Sequence, residues 1–260
     1  MQLKKTSPAP AEEKKISRRR LLAGAGKIAA AAGITVAASG WTGLFSEAHA
    51  KGAKFPWGYK KIDPARAGNI AYENWYKHYC CYGAASGILL PLQEDIGEPF
   101  TNFPLQATIW GHGGAVGWGT LCGSLNGAGL ATALIAGEEG EHIINDVITW
   151  YTKTKLPLYT PSHPRAGIKQ VNRSNSALCH ISVGRWMRKE GVTFLSPERF
   201  ERCARITADV AVRTVTLLND WADGKYKVTR RYQNEMYGIP TDNKCRQCHG
   251  DSIPEVPERG

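Results

Sequence analysis

Near its C-terminus the chain reads KCRQCHGD, residues 244–251. Two thiols two residues apart can form thioether bonds with the two vinyl groups of a haem. The imidazole that follows at once then ligates the iron from the proximal side. Those roles fall to Cys245, Cys248 and His249. A zinc ribbon would need a second ligand pair at similar spacing, which the sequence lacks. A single motif implies one covalent haem c per chain. The sixth iron ligand must come from elsewhere. After residue 50 the candidates are His78, His112, His142, His163, His180, Met187 and Met236. His180 stands first among them, directly after Cys179 near a helix start.

Five further cysteines remain: Cys80, Cys81, Cys122, Cys179 and Cys203. In an oxidising compartment disulfides would be the default, but five thiols cannot all pair. Taken singly, each reads as a small buried hydrophobe, Cys203 most of all because it falls on an apolar stripe. Taken together, four helices that each offer one inward thiol are what an iron–sulfur cluster needs.

The elements that must position these residues read as helices. Over 69–90, Tyr72, Trp75, Tyr76, Tyr79, Cys80, Gly83 and Gly87 recur at three- and four-residue steps, with Pro91 as the expected stop. Residues 91–119 read as a long loop that ends in the glycine-rich WGHGGAVGWG. A second helix is predicted over 120–136, where Gly123, Gly127 and Ala131 make a smooth stripe. Glycine inside a helix costs about 1 kcal/mol relative to Ala, a cost that makes sense if a backbone or cofactor must come very close. A third helix covers 141–155, and a fourth runs over 174–190, closed by Gly191. The fifth starts at Pro197 behind a Ser196 N-cap, and its 3-4 repeat from Phe200 to Trp221 runs out at Gly224. The reading is mainly α: a helical, bundle-like domain over 51–224, with an irregular haem-binding tail over 225–260.

Residues 1–50 read differently. Ser17-Arg18-Arg19-Arg20-Leu21-Leu22 carries the arginine pair of a twin-arginine signal, a weakly apolar run follows, and AHA at 48–50 fits a cleavage site. The run holds Lys27 and many Ala and Gly, which suits a removable signal better than a membrane anchor. Removal takes away eight basic and three acidic residues and lowers the formal charge from +10 to +5. No dense basic stretch remains, so nucleic-acid binding has no support, while a mildly basic surface suits an acidic redox partner protein. These signals place the chain in the periplasm with no lasting membrane anchor.

The blocks YCCYGAAS, GWGTLCGSLNGA, SALCHISVGRW and ERCARITADVA resemble those of the C-GCAxxG-C-C redox proteins. Joined to a C-terminal Cys-x-x-Cys-His, they resemble the split-Soret cytochromes c. The resemblance spans roughly residues 65–250 and is most specific around Cys122. It implies a helical domain with an iron–sulfur centre, and a homodimer whose haems lie in contact. By motif match the cluster ligands would be Cys80, Cys122, Cys179 and Cys203, with Cys81 a rival to Cys80 because the cysteines are doubled there. The twin-arginine signal agrees with this, since a cluster assembled in the cytoplasm needs an exporter that accepts folded cargo. Electron transfer is thus the leading reading. A haem enzyme that reduces a small oxyanion or peroxide, with His112 or His163 as an acid–base group, is the second. A disulfide- or zinc-stabilised helical scaffold is the third.

Overall fold

The computed structural model describes residues 54–229. The signal expected over 1–50, Met236 and the expected haem motif of Cys245, Cys248 and His249 lie outside them. The described residues are mainly α: α1 (Pro64–Asp95), α2 (Gly123–Ala136), α3 (Glu139–Lys153), α4 (Cys179–Glu190) and α5 (Pro197–Ala222). Two short 3-10 helices, Phe100–Asn102 and Leu105–Gly111, fill much of what reads as loop before α2. No described helix is long and apolar enough to cross a membrane.

The first helix departs most from its predicted form. It begins at Pro64, because the Asp63 side chain accepts a hydrogen bond from the Ala65 N–H (3.0 Å) and Pro64 is preset for a first helical position. It does not stop at Pro91, which is buried inside the helix; packing offsets the hydrogen bond that proline cannot donate. It also reverses direction. His78 (φ −144°, ψ 23°) and Tyr79 (φ 63°, ψ −163°) leave helical geometry. Past them the chain folds back: Arg66 pairs with Glu94, and the Asn74 amide donates to Ser86 Oγ at 2.9 Å. In a straight helix residues 66 and 94 would stand about 42 Å apart. Residues 64–77 and 80–95 are therefore two antiparallel arms, and Cys80 opens the second.

The long helix α5 packs on α1, α2 and α3, with α4 resting against it. Its start is the one predicted: Ser196 Oγ accepts from the Arg199 N–H at 3.2 Å. The main core gathers Ile88, Leu89, Ala131, Val147 and Val210, all fully buried. A smaller cluster joins Tyr72, Trp75 and Cys80 to Ala204 and Ala208 on α5. The proline-studded segment between α3 and α4 is tied down by Asp209, whose carboxylate accepts from the Leu158 and Tyr159 N–H groups at 2.9 and 2.7 Å.

Helices α2 and α4 start later than their periodicity predicts, at 123 rather than 120 and at 179 rather than 174. The reason is a short antiparallel pairing of the residues ahead of them. Cys122 N–H donates to Ala177 O (2.9 Å), Cys179 N–H to Thr120 O (2.7 Å) and His180 N–H to Gly119 O (3.0 Å). Backbone groups spent across this ladder cannot also open a helix.

Candidate metal centre

Cys80, Cys122, Cys179 and Cys203 all line one cavity of about 660 Å³. Each comes from a different segment. Cys80 is the first residue after the reversal in α1, Cys122 is the N-cap of α2, Cys179 is the first residue of α4, and Cys203 lies in the second turn of α5. Three of the four thus sit at helix starts, where the helix dipole favours negative charge. The ladder of residues 119–122 and 177–180 fixes Cys122 beside Cys179. Gly123 sets the approach of Cys80: a methyl group there would fall 2.4 Å from Cys80 Sγ and 2.4 Å from Gly111 O. Gly127, one turn on, lies against the second arm of α1; its methyl would meet Cys81 O at 2.2 Å. The smooth stripe on α2 is therefore where a backbone and a thiol come close.

Cys81 is 3 % exposed and does not line the cavity. Its sulfur sits against Gly111, where an added methyl would meet it at 2.6 Å. None of the five described cysteines forms a disulfide. Burial, and next the charge of Cys122, push the Cys81 thiol up to about 12. The same two causes push Cys80 and Cys179 above the ordinary thiol range. As bare thiols these groups keep their protons. Only a positive centre among them would make several adjacent thiolates stable in so buried a place.

The donor set also bears on what could sit there. Four thiolates around one zinc ion lie about 3.8 Å from each other, from tetrahedral Zn–S bonds of about 2.3 Å. Among the described residues no three His, Cys, Asp or Glu side chains stand close enough to hold one metal ion. An all-thiolate set spread around a roomy cavity fits a polynuclear iron–sulfur centre, which brings bulk of its own.

The cavity's lip is the glycine-rich loop. Gly113, Gly114, Ala115, Val116 and Gly117 all have positive φ, between 44° and 86°. Ala115 and Val116 hold that left-handed backbone at about 1–2 kcal/mol each. Trp75, Tyr79 and Phe200 make an aromatic side wall, with Trp75 5.6 Å from Tyr79 and 6.0 Å from Phe200 between ring centres. Of the candidate sixth haem ligands, His180, His112 and Met187 line this cavity, whereas His78, His142 and His163 do not.

Arg202, Ser182 and Tyr151 are not among the predicted site residues, although Arg202 and Ser182 lie within the ERCARITADVA and SALCHISVGRW blocks, yet they meet the cysteines. Arg202 is 2 % exposed and also lines the cavity. Its Nη2 donates to Ser182 Oγ at 2.7 Å and Ser182 O at 3.1 Å, and Nη1 points to Cys203 Sγ at 3.9 Å. Tyr151 Oη is 2.7 Å from Ser182 Oγ and hydrogen-bonds Cys122. Burial opposes the charge of Arg202, but the neighbouring Cys203 and Tyr151 outweigh it and hold the pKa above the ordinary arginine value. The one available sign in the sequence was Arg202 beside Cys203 on a stripe that otherwise reads as core. On the far side of α5, Glu201 accepts from Tyr72 (2.8 Å), Tyr76 (2.6 Å) and Arg205 (2.6 Å).

Comparison with known proteins shows the family. Residues 79–217 match the family described as "Putative redox-active protein (C_GCAxxG_C_C)". The chain is 35% identical over 206 residues to split-Soret cytochrome c of Desulfovibrio desulfuricans, covering 76% of this chain and 72% of that protein. A solved structure of the split-Soret cytochrome c from D. desulfuricans, reported for its novel iron centre, superposes with a TM-score of 0.65 at 31% identity, over 78% of this chain and 86% of that one. The match begins at Tyr79, where α1 reverses, and runs through all four cavity cysteines into α5: the chain belongs to the C_GCAxxG_C_C family of redox-active proteins.

Proposed function

We propose that this protein is an exported electron carrier with two cofactors: an iron–sulfur cluster held by Cys80, Cys122, Cys179 and Cys203, and a haem c held by Cys245, Cys248 and His249. The observation that carries the reading is the convergence of four cysteines from four segments on one cavity. The cluster, when bound, supplies a centre that takes up and returns electrons. The chain's own residues do the rest. The Gly123 and Gly127 stripe lets the second arm of α1 close on α2, the ladder aligns Cys122 with Cys179, and the aromatic wall excludes water. His180, on the cavity wall and exposed, remains the first candidate for the distal haem position. The cavity rim carries Trp118, Phe194 and Leu195, which are 83%, 61% and 74% exposed. Such an apolar rim supports a homodimer that brings two haems together, since exposed apolar patches mark interaction surfaces. The twin-arginine signal over 1–50 sends the folded chain to the periplasm, where it meets a redox partner protein.

The test is an absorption and EPR spectrum of the anaerobically purified protein, with iron, haem and acid-labile sulfide counts. One covalent haem and stoichiometric sulfide are expected. Cys245→Ala with Cys248→Ala should abolish covalent haem and leave the sulfide in place. Zinc in place of iron and sulfide would refute the reading.

A further inference from the structure

We propose that Arg202 is the counter-charge of the cysteine set, acting directly on Cys203 and through Ser182 and Tyr151 on Cys122, and that it raises the reduction potential of the centre. The proposal rests on the reading that these cysteines hold an iron–sulfur cluster.

Arg202 is a buried cation, and no carboxylate among the described residues ion-pairs with it. Glu201, next to it in sequence, is committed to Tyr72, Tyr76 and Arg205, and the Asp209 carboxylate, which feels the charge of Arg202 without pairing with it, is committed to the N–H groups of Leu158 and Tyr159. An unpaired buried charge is costly unless an anion lies close by. Its Nε has no partner at all. The anion such a group calls for is the thiolate set on the same cavity wall.

The hydrogen bonds have a direction. A guanidinium only donates, so Ser182 Oγ accepts from Arg202 at 2.7 Å. The Ser182 proton is then free for Tyr151 Oη, 2.7 Å away, and the Tyr151 proton for the Cys122 sulfur. Three successive donors point from the cation to one ligand sulfur, and bonds in such a chain strengthen each other. A purely structural arginine would spend its donors on carbonyls and carboxylates. Of its hydrogen bonds only the one to Ser182 O is of that kind; the others lead to Cys203 and, through two hydroxyls, to Cys122, while the guanidinium carbon also lies 5.8 Å from the centre of the Trp186 ring.

Reduction by a partner protein's redox centre adds one electron to the cluster and makes or breaks no bond. The oxidised centre is already anionic through its ligands, so the reduced one is more so. A fixed positive charge and hydrogen bonds to ligand sulfur stabilise the reduced state more than the oxidised one.

The test is an EPR-monitored redox titration of the full-length protein with both cofactors in place, with iron and sulfide counted for every variant. Tyr151→Phe should lower the reduced-to-oxidised ratio at a fixed potential about tenfold, a shift of ~59 mV for one electron. Ser182→Ala should give a similar shift, and the double variant no more than the larger single one, because both break the same relay. Arg202→Gln should fall furthest, and Arg202→Lys should recover part of the loss by restoring charge without the fork. Should Arg202→Gln fail to accumulate, the two hydroxyl variants decide the matter. Unchanged potentials in Tyr151→Phe and Ser182→Ala, at full iron and sulfide content, would overturn the proposal and leave the cluster reading intact. A wild-type protein without iron and sulfide would overturn both.

Discussion

In the apolar core, Ile88 and Leu89, Ala131, Val147 and Val210 come from helix middles and belong to one cluster of buried apolar side chains. At the cavity, Cys80, Cys122 and Cys179 come from helix starts, beside a left-handed loop and a buried arginine. The same helices build both regions. The core satisfies itself by excluding water, and any set of apolar side chains of the right volume would do. The cavity is not self-sufficient: it gathers raised thiols, an unpaired cation and strained backbone, each of which makes sense once a cofactor is held there. Core substitutions should therefore change stability and leave the centre alone, and cavity substitutions should do the reverse.

The sharpest break in that comparison is Cys203→Ser. The side chain keeps its size and loses only the soft ligand. Most of the acid-labile sulfide and iron should be lost while the far-UV dichroism of the helices persists. A serine variant with full sulfide and an unchanged spectrum would make Cys203 a core residue. Leu89→Ala is the converse. Removing a fully buried leucine costs about 3 kcal/mol, with a range of about 2–5. Chemical denaturation should show that loss, and iron and sulfide per folded chain should stay at wild-type levels. Gly127→Ala tests the seam between the regions. Its methyl would strike Cys81 O at 2.2 Å, so α2 must move away from the second arm of α1. Overpacking of this kind costs about 1–3 kcal/mol. Because Gly123 and Cys122 ride on the same helix, this variant alone among core changes should also alter the EPR signal.

The two regions also differ in how far the sequence foretells them. The start of α5 is legible because capping is local: Ser196, Pro197 and Glu198 act within one turn. The glycine stripe is legible because its cost demands a close neighbour. The reversal in α1 is not, since neither His78 nor Tyr79 is a turn-former, and Tyr79 takes φ 63° only because packing of the two arms holds it there. Pro91 misleads for the same reason, a local rule overridden by tertiary burial. The four cavity cysteines could be named from family blocks, but the placing of Cys122 and Cys179 at helix starts depends on the ladder between 119–122 and 177–180, a pairing of residues far apart in the chain. Arg202, Ser182 and Tyr151 are invisible for that reason too. Their meaning comes from contacts across three helices, and each alone reads as an ordinary helical residue.

The smallest expected effect lies in the lip of the cavity. Ala115 has φ 59° in the middle of five left-handed residues, three of which are glycine. A Cβ in that conformation crowds the following carbonyl at a cost of about 1–2 kcal/mol, which glycine avoids. Glycine also frees the unfolded chain, which takes back about 0.4–1 kcal/mol. Ala115→Gly should therefore stabilise the protein by about 0.5–1 kcal/mol, seen as a higher denaturation midpoint at unchanged slope. Val116 is the poorer choice, because it is 59% exposed and its loss would also change the apolar surface near the rim. Ala115 does not line the cavity, so the redox spectrum should not move. A stabilised variant with an altered spectrum would mean that the strained backbone acts on the centre itself. A destabilised one would mean that the Ala115 methyl makes contacts worth more than the strain.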